Sequence, residues 1–226
     1  MTHQIGLILY PELTQLDLTG PFEVFSRMPD SQVHLIWKTL DPVTSDTGLR
    51  LLPTTLMNEC PQLDVICVPG GPGQINFMDD DEFLGFLRLQ AKKAKFVTSV
   101  CTGSLLLGAA GLLKGYSAST YWASTDFLAG YGAHYRKGRV VKDRNRITGG
   151  GVTAGIDFAL TAVAELAGER TAEMIQLMIE YNPDPPFNSG HPDTADPEIV
   201  KAVRELMKVR IDARKMQAVN SSKSET

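Results

Sequence analysis

Short unbroken apolar runs alternate along this chain with stretches whose apolar positions recur at helical spacing. The run at 5–9, Ile-Gly-Leu-Ile-Leu, predicts a buried strand. Further strands are predicted at 33–38, at 64–68 and at 95–100, with a weaker edge strand at 48–52. Helices fall between them. One opens at Gly20-Pro21, with Pro21 in its first turn, where a missing N–H costs little. Asp79, Asp80 and Asp81 start another that runs to about residue 94, acidic at its N-terminus as the helix dipole favours. A third follows residue 100 directly and runs to about 113.

The second half is less regular. A short strand is predicted at 116–120 and a short helix at 122–128. Residues 139–142 and 146–148 flank Asp143-Arg-Asn145 and read as a hairpin. Helices follow at 154–166 and 171–181, then a Pro-, Gly- and Asp-rich loop at 182–197 and a last helix at 197–217. No repeat or linker divides the chain. The pattern predicts one α/β domain over 1–219, a mostly parallel sheet sandwiched between helices, and a disordered polar tail at 220–226.

Composition narrows the class. The 226 residues are 43% hydrophobic and 21% charged, as in an ordinary globular protein. A net charge of −4 offers no electrostatic case for nucleic acid or an anionic membrane. No apolar run approaches the roughly 20 residues of a spanning helix. Met1-Thr-His-Gln leads straight into the first strand without a basic region or cleavage site, so a cytoplasmic location is expected. Cys60, Cys67 and Cys101, odd in number and irregularly spaced, argue for a reducing compartment and against a disulfide framework. No Cys-x-x-Cys pair gives a zinc signal, and neither metal nor organic cofactor is expected.

The candidate chemistry lies where three segments reach the carboxyl edge of such a sheet. Cys101 stands between the strand at 95–100 and the helix after it, a strand–turn–helix nucleophile elbow. A thiol there faces the positive end of a helix and should favour thiolate. Cys67, inside an apolar strand, reads as core, and Cys60 as structural or surface. Asp17, between two leucines past the first strand, is the candidate proton carrier; a helix cap or solvated loop residue is the competing reading. A contacting thiolate and carboxylate would hold one proton between them near neutral pH. Gly70 and Gly71 are candidate backbone donors to a developing negative charge, together with the Thr102 N–H, although Pro-Gly-Gly is also plain turn chemistry. Gly149-Gly-Gly151 lacks the Gly-Lys-Ser/Thr of a phosphate loop, so Gly150, Gly151 and Val152 are read as a pocket wall. His3, His34, His134 and His191 sit in no obvious motif.

At these residues the chain resembles the DJ-one/PfpI superfamily, relatives of class I glutamine amidotransferase domains, over nearly its whole length. The resemblance rests on Gln15-Leu-Asp-Leu-Thr-Gly-Pro21, Asp64-Val-Ile-Cys-Val-Pro-Gly-Gly71, Val97-Thr-Ser-Val-Cys-Thr-Gly-Ser104, Gly108-Ala-Ala-Gly-Leu-Leu113, the segment from Thr148 to Leu160, and the segment from Pro186 to Ala195. It implies a flavodoxin-like fold, a homodimer, Cys101 as nucleophile and Asp17 as its carboxylate partner. Thr102 stands where PfpI-type proteases carry His, Asp17 where DJ-one-like proteins carry Glu, and Tyr121 where many relatives have His before Trp122. Within the superfamily the chain is most similar to the isocyanide hydratases. That resemblance implies a small isocyanide as the substrate, hydrated to an N-formamide through a Cys101 thioimidate. Glyoxalase, deglycase or amidase activity, a cysteine redox sensor, and the amidase-like half of an AraC-type regulator are the alternatives. For the last, only about 26 residues follow position 200, too few for a helix-turn-helix domain.

Overall fold

In a computed structural model the chain is described for residues 2–209, 211 and 212. The end of the expected last helix and the expected tail at 220–226 lie outside the described residues. In chain order the elements are β1 (His3–Ile8), α1 (Gln15–Phe25), β2 (Ser31–Trp37), β3 (Val43–Thr44), β4 (Arg50–Leu51), β5 (Thr55–Leu56) and β6 (Val65–Val68). Then come α2 (Asp81–Ala91), β7 (Phe96–Val100), α3 (Gly103–Ala109), β8 (Ser117–Ala118), β9 (His134–Tyr135), β10 (Val140–Asp143) and β11 (Arg146–Gly149). Helices α4 (Ala154–Ala167), α5 (Glu169–Met178) and α6 (Pro197–Leu206) follow.

Among the described residues, one seven-stranded sheet runs in the order β10-β11-β7-β6-β1-β2-β5. Its pairings are parallel except for the β10–β11 hairpin. Residues 5, 7 and 8 of β1 and all four of β6 are fully buried, which fits apolar strands covered on both faces. The chain leaves β1 toward β2 on one side and returns to β6 on the other. The strand order therefore reverses at β1 and β6, and a crevice opens beyond their carboxyl ends at such a reversal.

Three local expectations differ from the structure. Helix α1 starts at Gln15, five residues before the Gly20-Pro21 opening, so Asp17 lies in its first turn and Pro21 in its interior. Thr14, extended at φ −77° and ψ 111°, is the N-cap, and its N–H is tied to the Gly70 carbonyl at 2.9 Å. Pro21 cannot donate to the Asp17 carbonyl, but its ring is where α1 meets α4. A Cβ on Gly155 would lie 3.0 Å from Pro21 Cδ, and one on Gly20 would lie 3.3 Å from Ile156. Close helix packing holds the proline in a place that local propensity disfavours.

Second, the strand expected at 48–52 is not on the main sheet. Arg50–Leu51 pairs antiparallel with Val43–Thr44 in a separate hairpin, and the short strand Thr55–Leu56 takes the edge beside β2. The turn closes locally: Gly48 sits at φ +93°, and the Ser45 hydroxyl accepts the Leu49 N–H at 3.0 Å. Third, the short helix expected at 122–128 is a 3-10 segment extending over Trp122–Tyr131.

Glycine permits the sheet and helix layers to meet at the crevice. A Cβ on Gly103, the first residue of α3, would fall 2.1 Å from the Val68 carbonyl oxygen at the end of β6. On the other side of the crevice the fully buried Tyr10 donates its hydroxyl to the Pro69 carbonyl at 2.8 Å, fixing the turn after β6. Gly103→Ala is expected to push α3 away from β6, costing about 2 kcal/mol and lowering the thermal midpoint by roughly 5 °C. Calorimetry of the variant checks this, and an unchanged midpoint would show that the helix can shift freely.

Candidate active site

Three strand ends bring the sequence-predicted residues to one place. Strand β7 ends at Cys101, which has φ +54°, a left-handed conformation for a residue with a side chain. Such a conformation costs of order 1–3 kcal/mol and persists only where its surroundings overdetermine it. Here they do. The Cys101 N–H donates to the Gly149 carbonyl at 3.1 Å, and the Cys101 carbonyl accepts from Thr120 Oγ1 at 3.0 Å and Ser104 Oγ at 3.1 Å. A left-handed residue at a strand–helix junction is the backbone geometry of a nucleophile elbow, and the residue is only 6% exposed.

The loop after β1 delivers Asp17 on the first turn of α1, with no exposed surface. Its Oδ2 accepts the Gly70 N–H at 2.8 Å, and its carboxyl meets the Cys101 thiol. Burial pushes the Asp17 carboxyl from the ordinary carboxylate range up to about 7. The Gly70 and Cys101 hydrogen bonds oppose that rise and the charge of Asp46 adds to it. The α1 N-terminus would by itself favour ionisation, typically by less than about 1 kcal/mol; loss of water outweighs it.

The amides of Gly70 and Gly71 do not point into open space as substrate donors would. Gly70 donates to Asp17, and Gly71 donates to Thr102 Oγ1 at 3.1 Å. Both positions need glycine on steric grounds. A Cβ on Gly70 would sit 2.6 Å from the Thr102 nitrogen and 2.8 Å from Asp17 Oδ2, and one on Gly71, at φ +141°, 2.5 Å from the Thr14 nitrogen. The pair serves as a cradle for the acid and the elbow. Thr102 is 2% exposed and is the N-cap residue of α3.

Gly150, Gly151 and Val152 line a cavity of about 510 Å³, together with Thr120, Tyr121 and Trp122. Cys101 and Asp17 are not among the residues lining this cavity, but Thr120 and the residue before Gly150 are two of the three that hold the Cys101 backbone.

Of the other cysteines, Cys67 is wholly buried in β6 with its thiol pushed far up by burial, and burial raises Cys60 to about 11. His34 is buried between Gln4 Oε1, at 2.7 Å, and Thr55 Oγ1, at 3.1 Å, as a packing residue. His191 does reach the cavity wall, from the loop after α5. Sequence reading also missed Asp46, in the β3–β4 turn, whose Oδ2 accepts the Thr14 hydroxyl at 3.1 Å. The turn residues around Asp46 signal a hairpin but not its destination. Among the described residues, no group of three or more His, Cys, Asp or Glu side chains could hold a metal ion, and no helix is long and apolar enough to cross a membrane.

A doubly wound sheet with a left-handed cysteine at a strand–helix elbow defines a cysteine-elbow α/β protein. Residues 3–165 match the DJ-1/PfpI family, and the chain belongs to that family. It is 58% identical to the isonitrile hydratase of Pseudomonas putida over 204 residues, covering 90% of each chain. The crystal structure of a ThiJ/PfpI family protein from Pseudomonas syringae superposes with a TM-score of 0.94 at 47% identity, covering 96% of this chain and 91% of that one. The HTH-type transcriptional regulator GbdR of Pseudomonas aeruginosa is 30% identical over 78% of this chain, which corresponds to 50% of the regulator.

Asp17 makes stability depend on pH. Its folded pKa, about 7, lies above the 3.8 of an ordinary aspartate, so the unfolded chain releases this proton first. Stability contributed by the protonated acid is therefore full below pH 4 and falls as pH rises toward 7, by about 4 kcal/mol. Asp17→Asn is expected to flatten that decline. Urea unfolding of both proteins at pH 5 and pH 8 measures it; parallel declines would mean that Asp17 is ionised throughout.

Proposed function

We propose that this protein is an isocyanide hydratase, converting R–N≡C and water to the N-formamide R–NH–CHO. The observation that carries the reading is 58% identity to an isonitrile hydratase across nine-tenths of both chains. The site chemistry supports it. A thiol and a carboxyl in contact, with the carboxyl titrating near 7, can pass one proton back and forth at neutral pH without a histidine.

In this mechanism the Cys101 thiolate attacks the terminal isocyanide carbon, and Asp17 delivers a proton to that same carbon. The product is a covalent thioimidate, R–N=CH–S–Cys. Asp17, now ionised, draws a proton from water as the oxygen adds to the carbon and passes that proton to the imine nitrogen, which leaves the carboxylate ionised again. The adduct collapses to C=O, expels the Cys101 thiolate and leaves the remaining hydroxyl proton on Asp17. Atoms balance with no redox step and no cofactor. Thr102 sits between the cysteine and Gly71 and orients the reacting groups. Gly70 acts through Asp17, fixing the carboxyl at Oδ2 beside the thiol.

None of the three cysteines is in a disulfide, which suits action in a reducing compartment such as the cytoplasm. We also propose a homodimer, supported by apolar side chains left exposed on α5 and the loop after it. Leu177 is 81% exposed and Phe187 77%, and Met174 and Met178 on α5 are exposed as well. Light scattering is expected at twice the chain mass, and Leu177→Glu should shift it toward one; a wild-type monomer would remove the dimer.

Turnover of an aryl isocyanide, followed as formamide, tests the activity. Cys101→Ala is expected to be inactive. Asp17→Asn should lose about 100-fold or more in rate while keeping its fold. Intact mass of the wild type during turnover should show the thioimidate adduct on Cys101. Absence of hydration across aryl and alkyl isocyanides would exclude the assignment, and full activity of Asp17→Asn would exclude the proton role alone.

A further inference from the structure

We infer that the cavity beside the elbow seats the substituent of the isocyanide and selects flat, uncharged aromatic groups over small alkyl groups. The inference rests on the isocyanide reading above and adds the substrate class to it. Four features of the cavity carry it.

The first is position. The isocyanide group is linear, so its substituent points directly away from the carbon that the thiolate attacks. The cavity begins at one backbone partner of Cys101 and beside another. Thr120, which donates to the Cys101 carbonyl, lines it, and so does Gly150, adjacent in sequence to the Gly149 carbonyl that accepts the Cys101 N–H. The second is size. About 510 Å³ lies within the roughly 300–1,000 Å³ of pockets that hold whole organic ligands. An isocyanide carbon and nitrogen with a methyl group would leave most of that volume to water.

The third is the lining. Tyr121 and Trp122 stand side by side with ring centroids 5.7 Å apart and planes inclined at 47°, and Tyr135 completes an aromatic wall. The cations at the rim are already answered. Lys137 pairs with Asp193, whose backbone N–H is accepted by His191 Nδ1 at 3.2 Å. Arg139 is held by Asp157 at 2.7 Å and by the Thr153 and Tyr181 hydroxyls. With those charges neutralised, the wall favours a neutral ring through edge and face contacts rather than an anion.

The fourth is the glycine run. At Gly151 an added Cβ would meet nothing within 4 Å, and the backbone there is not left-handed. A side chain at 151 is therefore tolerated by the fold, and its absence keeps the cavity open. Gly150 differs: a Cβ there would press on the Gly138 carbonyl at 3.3 Å.

The test fills the cavity from its open wall. For the wild type, kcat/KM for phenyl isocyanide should exceed that for methyl isocyanide by about tenfold or more. Gly151→Leu should reduce that ratio about tenfold, through KM for the phenyl substrate, and Trp122→Ala should reduce it as well. A second measurement does not depend on turnover. In the Cys101→Ser protein, N-phenylformamide binding by calorimetry should be detectable, should exceed that of N-methylformamide, and should weaken about tenfold with Gly151→Leu added. A ratio and an affinity that both ignore Gly151→Leu and Trp122→Ala would overturn the inference. If no isocyanide is hydrated at all, the proposed function falls, and the calorimetric arm still decides whether the cavity takes aryl groups.

Discussion

A carboxyl group buried without exposed surface, holding one backbone amide and meeting one thiol, is the feature around which the strand ends are organised. Asp17 in water would be an ordinary carboxylic acid, ionised at neutral pH. Sealed beneath the crevice it becomes a group that titrates near neutrality, because removing water disfavours its charge more than one amide and a helix terminus favour it. Everything close to it is shaped to allow that burial. Gly70 has no side chain to collide with the carboxyl, and Thr14 ties the start of α1 to the Gly70 carbonyl. Tyr10 anchors the preceding proline carbonyl.

The cysteine depends on the same packing. A left-handed Cys101 is locally unfavourable and is held by three hydrogen bonds that reach it from β11, from Thr120 and from its own helix. Gly103 then lets α3 approach β6 so closely that its first turn stands over the Gly70-Gly71 cradle. Strain at the elbow and crowding at the glycines are two sides of one constraint. The thiol must lie beside the acid, and only bare backbone leaves room for both. The proline inside α1 belongs to the same economy of space, since its ring packs where Gly155 of α4 gives way.

Much of this was legible along the chain. The parallel α/β alternation, the strands at 64–68 and 95–100, and the elbow at Cys101 follow from local periodicity and turn chemistry, which act over a few residues. Asp17 between leucines signalled burial, but the helix that carries it was placed five residues late, because Pro21 looks like a helix start when its packing partner is unseen. The amides of Gly70 and Gly71 looked like donors for a substrate. Their actual acceptors, Asp17 and Thr102, are respectively 53 and 31 residues away in the chain. Asp46 carried no signal, since it reaches the site from a turn whose course is set by the elements it crosses; His191 lies in a segment that carried the family resemblance but not its place at the cavity wall.

The residues alone determined which groups could react: one cysteine at a strand–helix elbow, one carboxylate in an apolar setting, glycine-rich turns and no histidine motif. Only the tertiary structure decided that the carboxylate meets the thiol, that its proton affinity rises to neutrality, and that a cavity with an aromatic wall begins at a backbone partner of the cysteine. The reason is physical. Periodicity and propensity are properties of neighbours in sequence, whereas proton affinity and cavity shape depend on which strand ends lie side by side and on how completely water is removed between them.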